Sequence, residues 1–171
     1  MSTAGRRHRY VGPAELLDLV RPGSEGRVVR SAADLDAWLS GRDKDELAEP
    51  FTHVVGLDGL LRLAPRRSEH VACAGGADVL GAGEMGFGRA AGLRVVREVS
   101  NQSTGYCPHL DSWPAVARAL DRVGIDRPAG FTHAVVFRRC TTCREINIVR
   151  EDEFVCVFCG SELPVQWNVA A

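Results

Sequence analysis

The chain has 171 residues, with 21 Lys plus Arg against 22 Asp plus Glu for a formal charge of −1. That length suits one domain, or one with an appendage, and excludes a large multidomain enzyme. Hydrophobic residues at 45% and charged residues at 25% allow a buried core, while the balanced charge argues against a dedicated nucleic-acid or membrane-surface binder.

Residues 1–12, with Arg6, Arg7, His8 and Arg9, are polar and basic and read as a flexible arm ahead of an α+β domain over 13–137. No apolar h-region follows the basic start, and no window approaches the roughly 18 apolar residues of a membrane span. The expected compartment is therefore the cytoplasm. Arginine is used almost to the exclusion of lysine, Lys44 being the exception, which fits a GC-rich bacterial coding sequence.

Pro13 opens a short helix with Leu16, Leu17 and Val20 at helical spacing, ended by Pro22-Gly23. Residues 27–30 read as a brief strand. Ser31 followed by Asp34 has the form of an N-cap with an acidic N3 residue, and Leu35, Trp38 and Leu39 give that second helix one apolar face. The charged stretch 42–49 reads as a loop or a short helical turn. Two apolar runs around Asp58-Gly59 then signal a β-hairpin over 51–64. Three further runs, EHVACA, DVLGAGEMGF and LRVVREVS, read as strands of an antiparallel meander split by glycine turns. A helix is expected over 112–123, capped by Asp111 or Ser112, with Pro114 in its first turn and Val116, Leu120 and Val123 inward. The run FTHAVVF at 131–137 reads as the strand entering the cysteine-rich tail. The expected fold class is α+β: a central antiparallel sheet with packing helices and a C-terminal zinc-binding module over 138–171.

The tail carries the strongest chemical signal. Cys140-Thr-Thr-Cys143 and Cys156-Val-Phe-Cys159 are separated by 12 residues, and Gly160 follows the second pair. Each Cys-x-x-Cys forms a tight knuckle whose two sulfurs point to one centre, and two knuckles give the tetrahedral thiolate cage that Zn²⁺ prefers. Residues 138–167 resemble a zinc ribbon. Four protein ligands leave no open coordination position, so the expected cofactor is structural Zn²⁺. Cys73 and Cys107 stand apart from these pairs and have no assigned role.

A second informative region spans His70 to His109. His70 and Glu84 fall on neighbouring expected strands, and Asn101 and Tyr106 lie in the loop leading into the helix at 112. Such a loop can hold a polar ligand at the helix N-terminus, or its polar residues can simply satisfy the turn. If the cluster is catalytic, Glu84 suits a general base or electrostatic stabiliser, His70 an acid/base or orienting donor, and Asn101 and Tyr106 hydrogen-bond donors.

Residues 59–108 resemble the core of the plant IQ-motif calmodulin-binding proteins and related C-terminal segments of Rhs-type toxins. That pattern has His-Ser-Ser, a glycine turn, an Ala-Gly-Glu triplet, then Ser-Gly-His-Tyr and proline. Here His70, Gly75-Gly76, Ala82-Gly83-Glu84 and Thr104-Gly105-Tyr106 take the corresponding places. Val71-Ala72 replaces the serines, Tyr106-Cys107 stands where His-Tyr would, and the proline comes one residue early. No IQ sequence is present, so calmodulin binding is not implied.

The functional expectation is a ligand- or partner-binding domain held by a structural zinc ribbon, with a small molecule or a protein as the partner. The toxin resemblance implies an alternative, a small effector enzyme acting on a nucleotide such as NAD. Nucleic-acid binding through the ribbon and the basic arm is a third.

Overall fold

The hairpin expected around Asp58-Gly59 lies at the middle of the fold, in a computed structural model that describes residues 5–170. Its arms are β2 (Phe51–Gly56) and β3 (Leu61–Ala64). Together with β1 (Arg27–Val29), β4 (Val79–Ala90) and β5 (Leu93–Val99) they form one sheet of order β1-β3-β2-β4-β5, antiparallel throughout. Because side chains alternate along a strand, the sheet serves two cores. Phe51, Val55, Met85 and Phe87 face α1 (Ala32–Ser40) and α4 (Trp113–Val123), which contribute Leu35, Leu39, Val116 and Leu120. Val54 and Ala82 face the other way, against Val71, Cys73 and the buried ring of Tyr106.

Local chemistry sets the helix ends. Ser31 caps α1 by accepting a hydrogen bond from the Asp34 N–H at 3.1 Å. The stretch 42–49 contains α2 (Lys44–Ala48), begun by a full capping box in which Asp43 accepts from Glu46 N and Glu46 accepts from Asp43 N. Pro114 sits in the first turn of α4, and Gly124 ends it in the left-handed conformation at φ 82°. The segment after Pro13 is a 3-10 helix, Ala14–Leu19, with no buried residue of its own.

Two expected strands are corrected. The run EHVACA contains α3 (His70–Cys73), one helical turn that carries the chain across the sheet between β3 and β4. Val71 and Cys73 are both buried in the second core, so their alternation with Ala72 imitates a strand. The run at 131–137 becomes regular only at β6 (Val136–Arg139). Before that point its backbone is claimed by neighbours: Thr132 N donates to Val99 O at 2.9 Å and Val135 N donates to the Asn101 side chain at 2.7 Å.

Residues 1–4 of the expected arm lie outside the described residues. From Gly5 onward the chain lies against the sheet, where His8 exchanges both backbone hydrogen bonds with Val79 and is 1% exposed. Arg6 pairs with Asp111 at 3.0 Å, Arg7 with Asp78 at 3.6 Å, and Arg9 donates to Ala170 O at 3.1 Å.

The tail forms a second, two-stranded sheet of β6 and β7 (Ile146–Val149). It joins the first through a small core of Cys107, Val135, Phe137 and Val169. Trp167 Nε1 donates to Cys107 O at 3.0 Å, and the Trp167 ring meets His8 and His109 edge-on. Arg138 is buried and donates to the carbonyls of Phe137, Pro164 and Val165. That side chain clamps the returning C-terminal segment.

Candidate functional site

Four cysteines converge at the end of the β6–β7 hairpin. The first pair lies in the turn between β6 and β7, the second in the knuckle that follows β7. The two knuckles repeat one geometry. Arg144 N donates to Cys140 O at 3.0 Å and Gly160 N to Cys156 O at 2.9 Å. Both donors have left-handed backbone, φ 69° at Arg144 and 76° at Gly160. Glycine takes that conformation without cost, whereas Arg144 takes it against the preference of an L side chain.

All four sulfurs lie within 4.8 Å of one another. Cys140 Sγ and Cys159 Sγ are 3.6 Å apart, as are Cys143 Sγ and Cys156 Sγ. A tetrahedral ion with metal–sulfur bonds of about 2.3 Å has sulfur–sulfur edges of about 3.8 Å, so the cage has the size such an ion needs. A disulfide would require about 2.05 Å, and all six cysteines are free. Polar groups already surround the sulfurs: Cys143 N donates to Cys140 Sγ at 3.5 Å, Asn147 Nδ2 to Cys156 Sγ at 3.4 Å, and Ser161 Oγ lies 3.3 Å from Cys159 Sγ. Burial raises the Cys156 thiol, but the N–H groups of Cys159 and Phe158 and the Asn147 side chain outweigh it and draw its pKa down to about 6. Hydrogen bonds and N–H donors from Ser161 likewise lower Cys159. Cys143 moves the other way, up to about 12, because the Glu145 N–H is outweighed by burial and by the neighbouring sulfurs of Cys156, Cys140 and Cys159. The second knuckle is thus the one drawn toward thiolate, the form that ligates metal. Among the described residues it is the one group of three or more Cys, His, Asp or Glu side chains placed to share an ion.

The other four candidate residues do not meet in one pocket. Asn101 is fully buried and spent on backbone, donating to Pro108 O at 3.0 Å and Val135 O at 2.8 Å while accepting from Val135 N. Tyr106 is 1% exposed, and its hydroxyl donates to Ala77 O at 2.6 Å. His70, in α3, places Nε2 2.8 Å from Gly83 O, and burial lowers its pKa. Of the four, Glu84 lines a cleft of about 120 Å³, shared with Glu98, Ser100, Thr132 and His133. Two larger cavities, about 540 Å³ beside α2 and about 440 Å³ beside Arg62, contain none of the four.

Glu98 and His133 are the cleft residues that sequence reasoning missed. His133 enters because Ser100 pairs in parallel with it, a contact between distant segments that no local pattern announces. His53 is fully buried with neither ring nitrogen hydrogen-bonded; the Glu84 backbone lies beside the ring without completing a bond. Cys73 and Cys107 sit in separate cores with their thiols pushed up to about 12 by burial, which suits neither a nucleophile nor a ligand.

Among the described residues, no helix is long and apolar enough to cross a membrane. Compared with protein-family models, with curated proteins and with solved structures, the chain matches none.

Proposed function

We propose that this chain is a partner-binding α+β domain whose C-terminal hairpin is a zinc ribbon, held by one structural Zn²⁺ on Cys140, Cys143, Cys156 and Cys159. The observation that carries this reading is the cage itself: four sulfurs within 4.8 Å, on two matching knuckles, with N–H donors in place. Zn²⁺ fits four thiolates and no open position; its role when bound is structural, since no site is left for water or substrate. The local apolar core supports that role. It consists of Cys140, Val149, Cys156 and Leu163, so two of its four buried members are ligands. Metal binding in zinc-finger peptides contributes about 10–16 kcal/mol, comparable with the stability of a whole domain, and the cysteine-bearing end of this hairpin has only that small core besides.

The test is metal content with a ligand variant beside it. The reading expects about one zinc per chain, and loss of both the metal and the order of residues 140–163 in Cys143→Ser. A metal-free chain with that hairpin intact would overturn it.

A second reading, a small enzyme acting on a nucleotide such as NAD, rests on one observation. The half-buried Glu84 carboxylate faces a cleft with Glu98 and His133 and makes no hydrogen bond or ion pair among the described residues. The resemblance of residues 59–108 to IQ-motif and Rhs-type segments belongs with this proposal. Glu84→Gln decides it: loss of turnover across a nucleotide panel with an unchanged fold favours an enzyme, while unchanged behaviour removes it. Nucleic-acid binding has weaker support, because the arginines of the arm are already engaged with Asp111, Asp78 and Ala170 O and the ribbon surface is acidic.

A further inference from the structure

We infer that the outer strip of the cysteine-bearing hairpin, from the Glu151-Asp152 turn to Val157-Phe158, docks a basic protein segment that carries an apolar anchor. This rests on the partner-binding reading and names the partner's chemistry. Three features of the strip point the same way.

The first is exposed apolar surface on a stiffened support. Between 153 and 157 burial alternates: Glu153, Val155 and Val157 are exposed while Phe154 and Cys156 turn inward. Val157 is 78% exposed and Phe158 63%, and both sit between two metal-ligand positions, where a side chain is held at small entropic cost. Val155 is 50% exposed and Val165 74%. Large apolar groups grouped in this way on a small fold mark an interaction surface.

The second is charge. Glu151, Asp152, Glu153 and Glu162 are all exposed, Glu162 lying directly across from Val155, and none joins an ion pair among the described residues. Arg150 is the basic residue among them. Acidic groups around an apolar centre match a partner with the opposite rim, and they repel nucleic-acid phosphate. A second copy packed about a two-fold axis would set these carboxylates against each other.

The third is local strain. Arg150 and Glu153 close a turn whose central residues, Glu151 and Asp152, both have left-handed backbone, φ 52° and 57°. Asn-Gly is the favoured pair for that geometry, and Glu-Asp there costs stability. The acidic pair therefore gives up folding free energy at a place where it contributes charge to the strip.

The experiment uses the full zinc-loaded chain titrated with a synthetic Arg- and Leu-rich peptide, followed by NMR at low and high salt, beside a matched Glu- and Leu-rich peptide. The expected result is saturable shifts at Val155, Val157 and Phe158 with the basic peptide alone, weakening steeply as salt rises. Val157→Ser with Phe158→Ser abolishes them. Glu151→Asn with Asp152→Gly raises the melting temperature yet weakens binding by about tenfold, a pair of opposite effects that a purely structural turn does not produce. Four results overturn the inference: no saturable shifts, shifts centred on another surface, undiminished binding by the turn variant, or self-association through Val157 and Phe158. If the chain holds no zinc and the hairpin is disordered, the underlying reading fails instead, and metal content separates the two.

Discussion

The carboxamide of Asn101 closes a ring on the backbone of Val135, accepting from its N–H at 2.7 Å and donating to its C=O at 2.8 Å. The same amide reaches Pro108 O at 3.0 Å. One side chain thus ties the end of β5, the loop before α4 and the approach to β6, all in the dry interior. Asn101→Ala leaves three buried backbone groups without partners, and each unsatisfied group costs roughly 1–3 kcal/mol. A loss of about 3 kcal/mol or more in denaturant unfolding is expected. A loss below 1 kcal/mol would mean that water replaces the amide.

Two buried imidazoles make the fold acid-sensitive. Burial lowers His8 to about 4 and His53 to about 3, from an ordinary 6.5. Between pH 6.5 and 4 the unfolded chain takes up protons that the native state refuses, so stability falls as the pH falls through this window. At pH 5 each residue costs about 2 kcal/mol relative to pH 7. Urea midpoints measured from pH 7.5 to 4.5 should therefore drop steeply below 6.5. His53→Leu removes two nitrogens that have no partner, so it should roughly halve the pH dependence, leaving the His8 share, without lowering stability at pH 7. A flat wild-type profile between pH 6.5 and 5 contradicts the prediction.

What could be read from the sequence was what neighbours in the chain decide. Ser31 caps its helix through Asp34, three residues away, and the Asp58-Gly59 turn joins two strands that pair directly. The four cysteines were legible because knuckle spacing is itself local geometry. What escaped was settled by distant contacts. His8 is buried because Val79 supplies its backbone partners, and no feature of residues 5–12 says so. α3 is too short for a helical period, and Val71 and Cys73 face one core because the crossover lies over β2 and β4. Asn101 and Tyr106 looked like chemistry because polar side chains in a loop look alike whether they meet a ligand or the chain's own carbonyls.

Gly83 marks a crossing that admits no side chain. A Cβ built there would lie 2.0 Å from Ser100 O and 3.0 Å from Asn101 Cα, both backbone atoms with no rotamer to yield. Gly83→Ala must push the chain after β5 away from β4, breaking the pairing of Ser100 N with Glu84 O and of Glu84 N with Ser100 Oγ. A cost of about 3 kcal/mol or more is expected from strain and lost bonds together, seen as a drop in the unfolding midpoint or as insolubility. The same displacement opens the Glu84 cleft, so any binding there should fail in this variant. Wild-type stability in Gly83→Ala would show that the two strands cross further apart.

Metal removal should separate the two sheets in stability. The β6–β7 hairpin has a core of Cys140, Val149, Cys156 and Leu163, and without an ion nothing bonds its four sulfurs together, while any two ionised at once repel one another. The five-stranded sheet keeps its own core, with Leu35, Leu39, Val55, Met85 and Leu120 all 0% exposed and none of them touching the cysteines. Hydrogen exchange after chelation is therefore expected to rise at Asn147, Val149 and Val157 while Leu35 and Leu120 stay protected. The joint between the sheets should respond in between: Trp167 is held by Cys107 O, His8 and His109 on the domain side, but it is positioned by Arg138 and Asn168 on the hairpin side. Partial loss of protection at Val169 would report that coupling. Unchanged protection across 146–157 with zinc stripped would mean that packing of Phe137 and Ile148 onto Cys107 and Val135 suffices to hold the hairpin, and that the thiolate cage is dispensable for its fold.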